Sequence, residues 1–303
     1  MARPYTILDV FTDTALSGNP LAVVMEAEGL SGEEMQRIAG EFNLSETVFV
    51  LPPENPAHTA RVRIFTPGAE LPFAGHPTVG TAVILAANRF GSVEAEQDAV
   101  EVLEEGVGPV RCGVKLFPGG KGFAEFDVPK TPEPGEPAQD KELIAAALGL
   151  SPLEIGFENH VPANYSSGVP FTFVPVRDLS VIGRAQVVPE AWNDGFGDHD
   201  HNNAFVYCRQ TERTASSFHA RMFAPRMGVP EDPATGAAAA AFAGVVNHFD
   251  EPPSGRHRYR IEQGFEMGRP SIIGLEIETE GGALRVARIS GEAVVFARGE
   301  LMV

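Results

Sequence analysis

Lysine is scarce in this sequence. Only Lys115, Lys121, Lys130 and Lys141 occur, and 41 acidic residues against 23 lysines and arginines leave a net charge of −18. A phosphate backbone would be repelled by such a surface, so nucleic acid is not an expected partner. An anionic membrane is disfavoured for the same reason, and the excess acid reads as a solvating surface. Cysteine is scarcer still. Cys112 and Cys208 cannot form a disulfide framework, and each lies in a strand-like run (110–116 and 204–208), which predicts two buried thiols. No apolar run approaches the roughly 18 residues that a membrane span needs. The longest small-apolar run, 236–246, is mostly alanine and too short. Residues 1–10 lack the basic start and apolar stretch of a signal peptide. The expectation is a soluble, cytoplasmic protein with no membrane association.

What is present is enough apolar material for two cores. The chain has 303 residues, 43% of them hydrophobic, which suits two domains of roughly 100–200 residues. Glycine and proline are scattered, as in a fold of many short strands and turns. Alternation predicts strands at 5–11, 21–25, 47–51 and 60–65, with turn chemistry at Ser17-Gly18-Asn19-Pro20. Between the second and third, Ser31 and Glu34 form a capping-box pattern, and Met35, Ile38, Ala39 and Phe42 follow at helical spacing. Residues 77–90 are apolar on nearly all sides, which predicts a buried helix stopped by Gly91. Strands return at 100–116 and 122–128. The Pro- and Glu-rich run 129–137 reads as the linker. In the second half a helix is expected near 140–150 and strands at 171–176, 204–208 and 217–223. A second apolar helix is expected over 233–247, then strands at 259–262, 271–278, 283–289 and 293–297.

The two halves repeat. Arg63-Ile64-Phe65-Thr66-Pro67 matches Arg221-Met222-Phe223-Ala224-Pro225, and Leu71-Pro72 matches Val229-Pro230. Pro77-Thr78-Val79-Gly80-Thr81-Ala82 matches Pro233-Ala234-Thr235-Gly236-Ala237-Ala238. In each copy a strand leads through a Pro-containing loop into a helix that is apolar all round, and such a helix needs a sheet wrapped around it. The inferred fold is α+β, with two pseudo-symmetric lobes. Each lobe is a curled, barrel-like mixed or antiparallel sheet around a central buried helix. The lobes are placed at 1–130 and 131–303, with the final strands free to cross back to the first.

The residue before the helix-opening proline is His76 in one copy and Asp232 in the other. Proline belongs in the first helical turn because its missing N–H has no partner there anyway. Free N–H groups and the positive end of the dipole make such a mouth an anion site. Gly75 and Gly236 let a ligand approach the backbone. If a pseudo-two-fold axis relates the lobes, the mouths face one another and His76 and Asp232 flank one cleft, suited to acid–base work on a small acid. Asp232 alone would read as a plain N-cap, and His76 alone as a satisfied loop histidine. A third candidate is Glu46, between the capped helix and an apolar strand, where desolvation favours the protonated acid and tunes it as a base; taken alone, Ser45-Glu46 reads as an exposed turn. Two weaker features remain. His199 and His201 lack the spacing of a familiar metal set and read as a polar surface loop. Arg269 fits contact with an acidic substrate and a structural ion pair equally. No metal site is expected.

These residues resemble a known family. Phe73-Ala74-Gly75-His76-Pro77-Thr78-Val79-Gly80-Thr81-Ala82 and Glu231-Asp232-Pro233-Ala234-Thr235-Gly236-Ala237-Ala238 are similar to the two signature loops of the phenazine-biosynthesis PhzF-like family. So are Asp9-Val10-Phe11, Gly18-Asn19-Pro20-Leu21-Ala22-Val23, Ser45-Glu46-Thr47, and Gln263-Gly264 followed by Met267-Gly268-Arg269-Pro270-Ser271. The resemblance spans essentially the whole chain. It implies the diaminopimelate-epimerase-like fold and an isomerase without cofactor that moves a proton between carbons. The glutamate at the position of Glu46 would be the main acid/base, assisted by His76 and Asp232. Backbone groups at Ser45, Gly75, His76, Gly236 and Ala237 would hold a small-molecule substrate's carboxylate, and a homodimer would be usual. The characterised member isomerises a dihydro-hydroxyanthranilate. Ala237 stands where the family commonly has serine. That bears on the substrate, and no phenazine pathway is implied.

Two rival functions stay open on sequence. Epimerases and racemases of this fold use facing cysteines at the helix mouths, positions that carry His76 and Asp232 here. A non-catalytic small-molecule-binding or interaction protein could keep the fold, but would not need Glu46, His76 and Asp232 together.

Overall fold

The structure is a computed structural model describing residues 2–198 and 202–303. His199 and His201 lie outside the described residues. Packing divides the chain into Met1–Pro129 with Ser290–Val303, and Lys130–Ile289.

The first unit runs β1 (Ala2–Val10), β2 (Asn19–Val24), α1 (Gly32–Phe42), β3 (Glu46–Leu51), β4 (Ala60–Phe65), β5 (Glu70–Leu71), α2 (Gly75–Phe90), β6 (Gln97–Glu105), β7 (Gly108–Phe117) and β8 (Lys121–Asp127). The second runs β9 (Glu133–Pro134), α3 (Lys141–Ala147), β10 (Ala163–Ser166), β11 (Pro170–Pro175), α4 (Leu179–Ile182), α5 (Pro189–Phe196), β12 (Ala204–Cys208), β13 (Phe218–Ala224), β14 (Val229–Asp232), α6 (Gly236–Asp250), β15 (Gly255–Gln263) and β16 (Ser271–Glu280). A long last strand, β17 (Ala283–Met302), contributes its residues from Ser290 onward to the first unit.

In the first unit β1 pairs antiparallel with β2 and β17, β2 parallel with β3, and β3 antiparallel with β4. Next, β4 pairs antiparallel with β5 and parallel with β6, and β6, β7 and β8 follow as an antiparallel meander. The β8–β17 pairing closes the ring. Helix α2 fills it, packed on β1, β2, β3, β6, β7 and β8. The helix is buried from Gly75 to Ile84, as its uniformly apolar sequence requires. A Cβ on Gly80 would lie 2.6 Å from Leu21 Cδ2 and 2.8 Å from Val10 Cγ2, so glycine there lets the helix meet β1 and β2. The amphipathic α1 covers the outer face, its Met35 and Ala39 packing on Val24, Phe49 and Phe65. That is why Val48 to Leu51 in β3 are buried on both faces.

The second unit repeats this pairing. β10 is antiparallel to β11, β11 parallel to β12, and β12 antiparallel to β13. β13 is antiparallel to β14 and parallel to β15, and β15 is antiparallel to β16. Helix α6 occupies the place of α2, buried from Ala238 to Val246. Outside the sheet, α3, α4 and α5 form a second core around Trp192, Phe196 and Ile144. The α+β fold with mixed sheets curled about buried helices is therefore as inferred.

Three local expectations need correction. The run 100–116 is two strands, broken by Gly106 and Val107. Helices α4 and α5 were not expected; both are short, and α5 carries a glycine and three polar residues that blur its apolar face. The apolar helices also start elsewhere than their prolines suggested. Pro77 is the third residue of α2, while Pro233 lies outside α6.

Candidate active site

Helix α1 ends at Asn43, whose left-handed conformation (φ 52°) and N–H bond to Ala39 O turn the chain back. Ser45 follows, and Glu46 opens β3 opposite Leu21 of β2. Its side chain is 16% exposed, where the rest of the strand is buried. His76 is the second residue of α2, and its Nε2 lies 3.2 Å from Glu46 Oε2. The two atoms are close without being aligned as a hydrogen bond, a common state for catalytic pairs before substrate binds. On the other ring edge, Asn19 Nδ2 stands 3.4 Å from His76 Nδ1. With the amide nitrogen on that side, a neutral ring that accepts through Nδ1 carries its proton on Nε2, the edge nearer Glu46. Burial pushes the His76 imidazole down to about 3. It is neutral at physiological pH, so the contact is not an ion pair. It is a carboxylate beside an imidazole N–H, the arrangement of a base and a proton relay.

The N-cap of α2, Ala74, offers no side-chain cap, and the first N–H groups of a helix have no partner within it.

In the second unit Asp232 ends β14, and Pro233 to Thr235 intervene before α6. Asp232 is therefore not the N-cap. Thr235 holds that place and gives no side-chain cap. The loop is held by Gln263, fully buried in β15. Its Nε2 donates to Asp232 O (2.7 Å) and Thr235 Oγ1 (3.0 Å), and its Oε1 accepts from Thr235 N (3.1 Å). Thr235 Oγ1 then donates to Asp232 Oδ2 at 2.6 Å. The donors run in one direction, from amide to hydroxyl to carboxylate, and fix Asp232 as an oriented acceptor at 6% exposure. Gly236 and Ala237 open α6, and Ala237 is the more exposed of the two.

Within one unit, then, the structure brings Ser45, Glu46, Gly75 and His76 together. Within the other it gathers Asp232, Gly236 and Ala237. Asn19 and Gln263 were not singled out for a role in sequence. The available signal was a polar residue in an otherwise apolar run, Asn19 before 20–24 and Gln263 closing β15. Both thiols are buried and reduced. Burial raises the Cys112 thiol well above its ordinary value and pushes Cys208 up to about 12, so neither supplies a thiolate near neutrality. Arg269 lies half-buried beyond the Gly264 turn, its carbonyl accepting from Ser271 Oγ.

The phenazine biosynthesis-like family model matches residues 8–299. The chain belongs to this family. It is 52% identical to an uncharacterized isomerase of Mesorhizobium japonicum, over 99% of each chain. It is 35% identical to the trans-2,3-dihydro-3-hydroxyanthranilate isomerase of Pseudomonas aeruginosa, over 97% of this chain and 98% of that one. Both relatives are isomerases, and isomerase is the class of this chain. Among solved structures, a phenazine biosynthesis protein of the PhzF family from Bacillus anthracis superposes with a TM-score of 0.87 at 27% identity, covering both chains fully. A hydroxyproline epimerase from Agrobacterium vitis, solved with trans-4-hydroxy-L-proline, gives a TM-score of 0.63 at 12% identity over 99% of this chain and 92% of that one. That likeness is one of fold alone, and it makes the architecture of this family member diaminopimelate-epimerase-like.

Proposed function

We propose that this family member is a cofactor-independent isomerase that moves a proton between two carbons of a small carboxylate-containing substrate. The observation that carries the reading is the Glu46 carboxylate beside the neutral, buried His76 at an uncapped helix mouth. Glu46 takes a proton from a carbon acidified by neighbouring unsaturation and returns it to another carbon on the same face. His76, through Nε2–H, and Asp232, as an oriented carboxylate, polarise the substrate's polar groups and relay their protons. Backbone at Ser45, Gly75, His76, Gly236 and Ala237 holds the substrate carboxylate, as helix first turns hold anions. A well-placed general base supplies roughly 10²–10⁴-fold, and positioning supplies the rest. Ala237 presents a methyl where relatives commonly carry a hydroxyl, which shifts the substrate rather than the chemistry. The thiols' burial and high pKa tell against a cysteine-based epimerase.

The test is proton exchange in deuterated water. Wild type and Glu46→Gln are incubated with unsaturated cyclic and amino-acid carboxylates, trans-2,3-dihydro-3-hydroxyanthranilate included, and carbon-bound deuterium is followed by NMR. Wild type is expected to exchange or isomerise at least one compound, with the rate in Glu46→Gln lower by roughly 10²–10⁴-fold. Exchange that survives the substitution removes Glu46 from this role. No exchange with any compound turns the reading toward binding without catalysis.

A further inference from the structure

Behind the α2 mouth the barrel of the first unit has a gap. β4 and β6 pair only at Ala60↔Leu103 and Arg61↔Glu104, after which β4 pairs with β5 instead. Where the strands part, a cavity of about 1050 Å³ opens, with Leu71, Pro72 and Glu105 among its lining residues. Glu105 is 8% exposed. Its Oε1 lies 2.7 Å from Thr78 Oγ1 in the first turn of α2, and Oε2 is buried without a hydrogen-bond partner.

Thr78 Oγ1 also lies 2.7 Å from Ala74 O, the carbonyl of the α2 N-cap. A hydroxyl has one hydrogen. If Thr78 gave it to Glu105, Ala74 O would lose its side-chain donor and an ionised carboxylate would keep a buried oxygen with no hydrogen-bond partner, which is costly. If Glu105 is protonated, both short contacts become hydrogen bonds and Oε2 is only a neutral carbonyl oxygen.

We propose that Glu105 is a positioning residue held as a neutral carboxylic acid: its O–H donates to Thr78, Thr78 donates to Ala74 O, and this chain of bonds fixes the turn that aims His76 at Glu46. The inference rests on the catalytic reading of that pair. Burial, resisted only by the Thr78 bond, pushes the Glu105 carboxyl up to about 8, consistent with the acid form near neutrality. The surrounding charges are committed elsewhere. Across the cavity Arg63 pairs with Glu70, His58 with Glu104 and Arg61 with Glu54, while Glu28 is exposed. On β6 Glu101 pairs with Arg89 of α2, and Cys112 of β7 is a protonated thiol. From α2 itself the other titratable group of the first turn is the neutral His76.

The experiment compares wild type with Glu105→Gln and Glu105→Ala, with thermal melting as the check on folding. Glutamine can donate to Thr78 at every pH; alanine cannot. Using the compound that wild type exchanges, Glu105→Ala should lose kcat on the order of 10²-fold with KM little changed, and Glu105→Gln should recover most of it. In wild type kcat should fall on the alkaline side near pH 8, and in Glu105→Gln that fall should disappear. Independently of turnover, the His76 imidazole nitrogen resonances should step near pH 8 in wild type and not in Glu105→Gln. If no variant has activity, the catalytic reading fails, and the His76 step still decides this one. Should Glu105→Ala fail to fold, the glutamine variant's pH profile and the His76 resonances carry the test. An unchanged kcat in folded Glu105→Ala, or His76 resonances that titrate alike in wild type and Glu105→Gln, overturns the proposal.

Discussion

At the mouth of α2 the candidate side chain, His76, is inside the helix, as its second residue. At the mouth of α6 the candidate, Asp232, ends a strand, with Pro233 to Thr235 between it and the helix. The strands leading to both mouths pair in the same order, and neither helix has a side-chain cap. The difference is made by two buried amides. Gln263 ties down both ends of the second loop, while at the first mouth Asn19 Nδ2 stands beside the imidazole edge. The repeat thus supplies the same uncapped helix end twice, and the residues beside it differ: a neutral, buried imidazole at one and an oriented carboxylate at the other, which the proposed function casts as proton relay and acceptor.

The largest effects should come from removing that chemistry at each mouth in turn. His76→Asn keeps an amide near Glu46 but cannot pass a proton, and Asp232→Asn keeps an acceptor for Thr235 but loses its charge. Each should lower kcat of the exchange reaction by roughly 10²-fold or more, with helix-end binding leaving KM little altered. If Asp232→Asn turns over like wild type, the second mouth only holds substrate and chemistry belongs to the first. A middle-sized effect is expected from Gln263→Leu, which removes the amide bonded to Asp232 O and Thr235 N in a buried loop. At about 1–3 kcal/mol for each of the two bonded groups, urea unfolding should show a loss of roughly 2–6 kcal/mol. A variant as stable as wild type would mean that the loop holds its shape without that amide.

Much of this was legible beforehand, and the failures have physical causes. The capping box at Ser31 and Glu34 formed as written, with Glu34 N donating to Ser31 Oγ and Ser31 N to Glu34 Oε2. The two buried helices could be read because a helix without a polar face has nowhere to go but inside a sheet. Their first residues could not be read from proline, which tolerates any place in the first turn or just before it. The proximity of Glu46 and His76 could not be read from spacing either, since a parallel strand pair and a loop bring them together. Gln263 belongs to the motifs that carry the resemblance, but its bracing role was hidden for a similar reason. Its partners are far off in sequence, and one polar residue closing a strand looks the same with partners or without.

The smallest effect separates the two units by the titratable group each one buries. The first unit keeps Glu105 neutral. The second keeps His219 charged: burial opposes the charge, but Glu262 (3.0 Å) and Glu266 (2.9 Å) flank the ring and raise it to about 9. Both folded values lie above the ordinary ones, 4.5 and 6.5. In both cases the folded chain holds a proton that the unfolded chain releases first, so stability falls as pH rises. The windows differ. The Glu105 contribution is complete below 4.5 and is lost on approach to about 8. The His219 contribution is complete below 6.5 and is lost as pH passes about 9. Urea midpoints measured across this range should show a decline between pH 6.5 and 9 that His219→Gln flattens, by an amount on the order of 1–3 kcal/mol at about 1.4 kcal/mol per pKa unit. Glu105→Gln should leave the decline above pH 8 intact and flatten the part below it. A His219→Gln variant that keeps the full slope above pH 8 would mean that the buried ring is not charged in the folded protein.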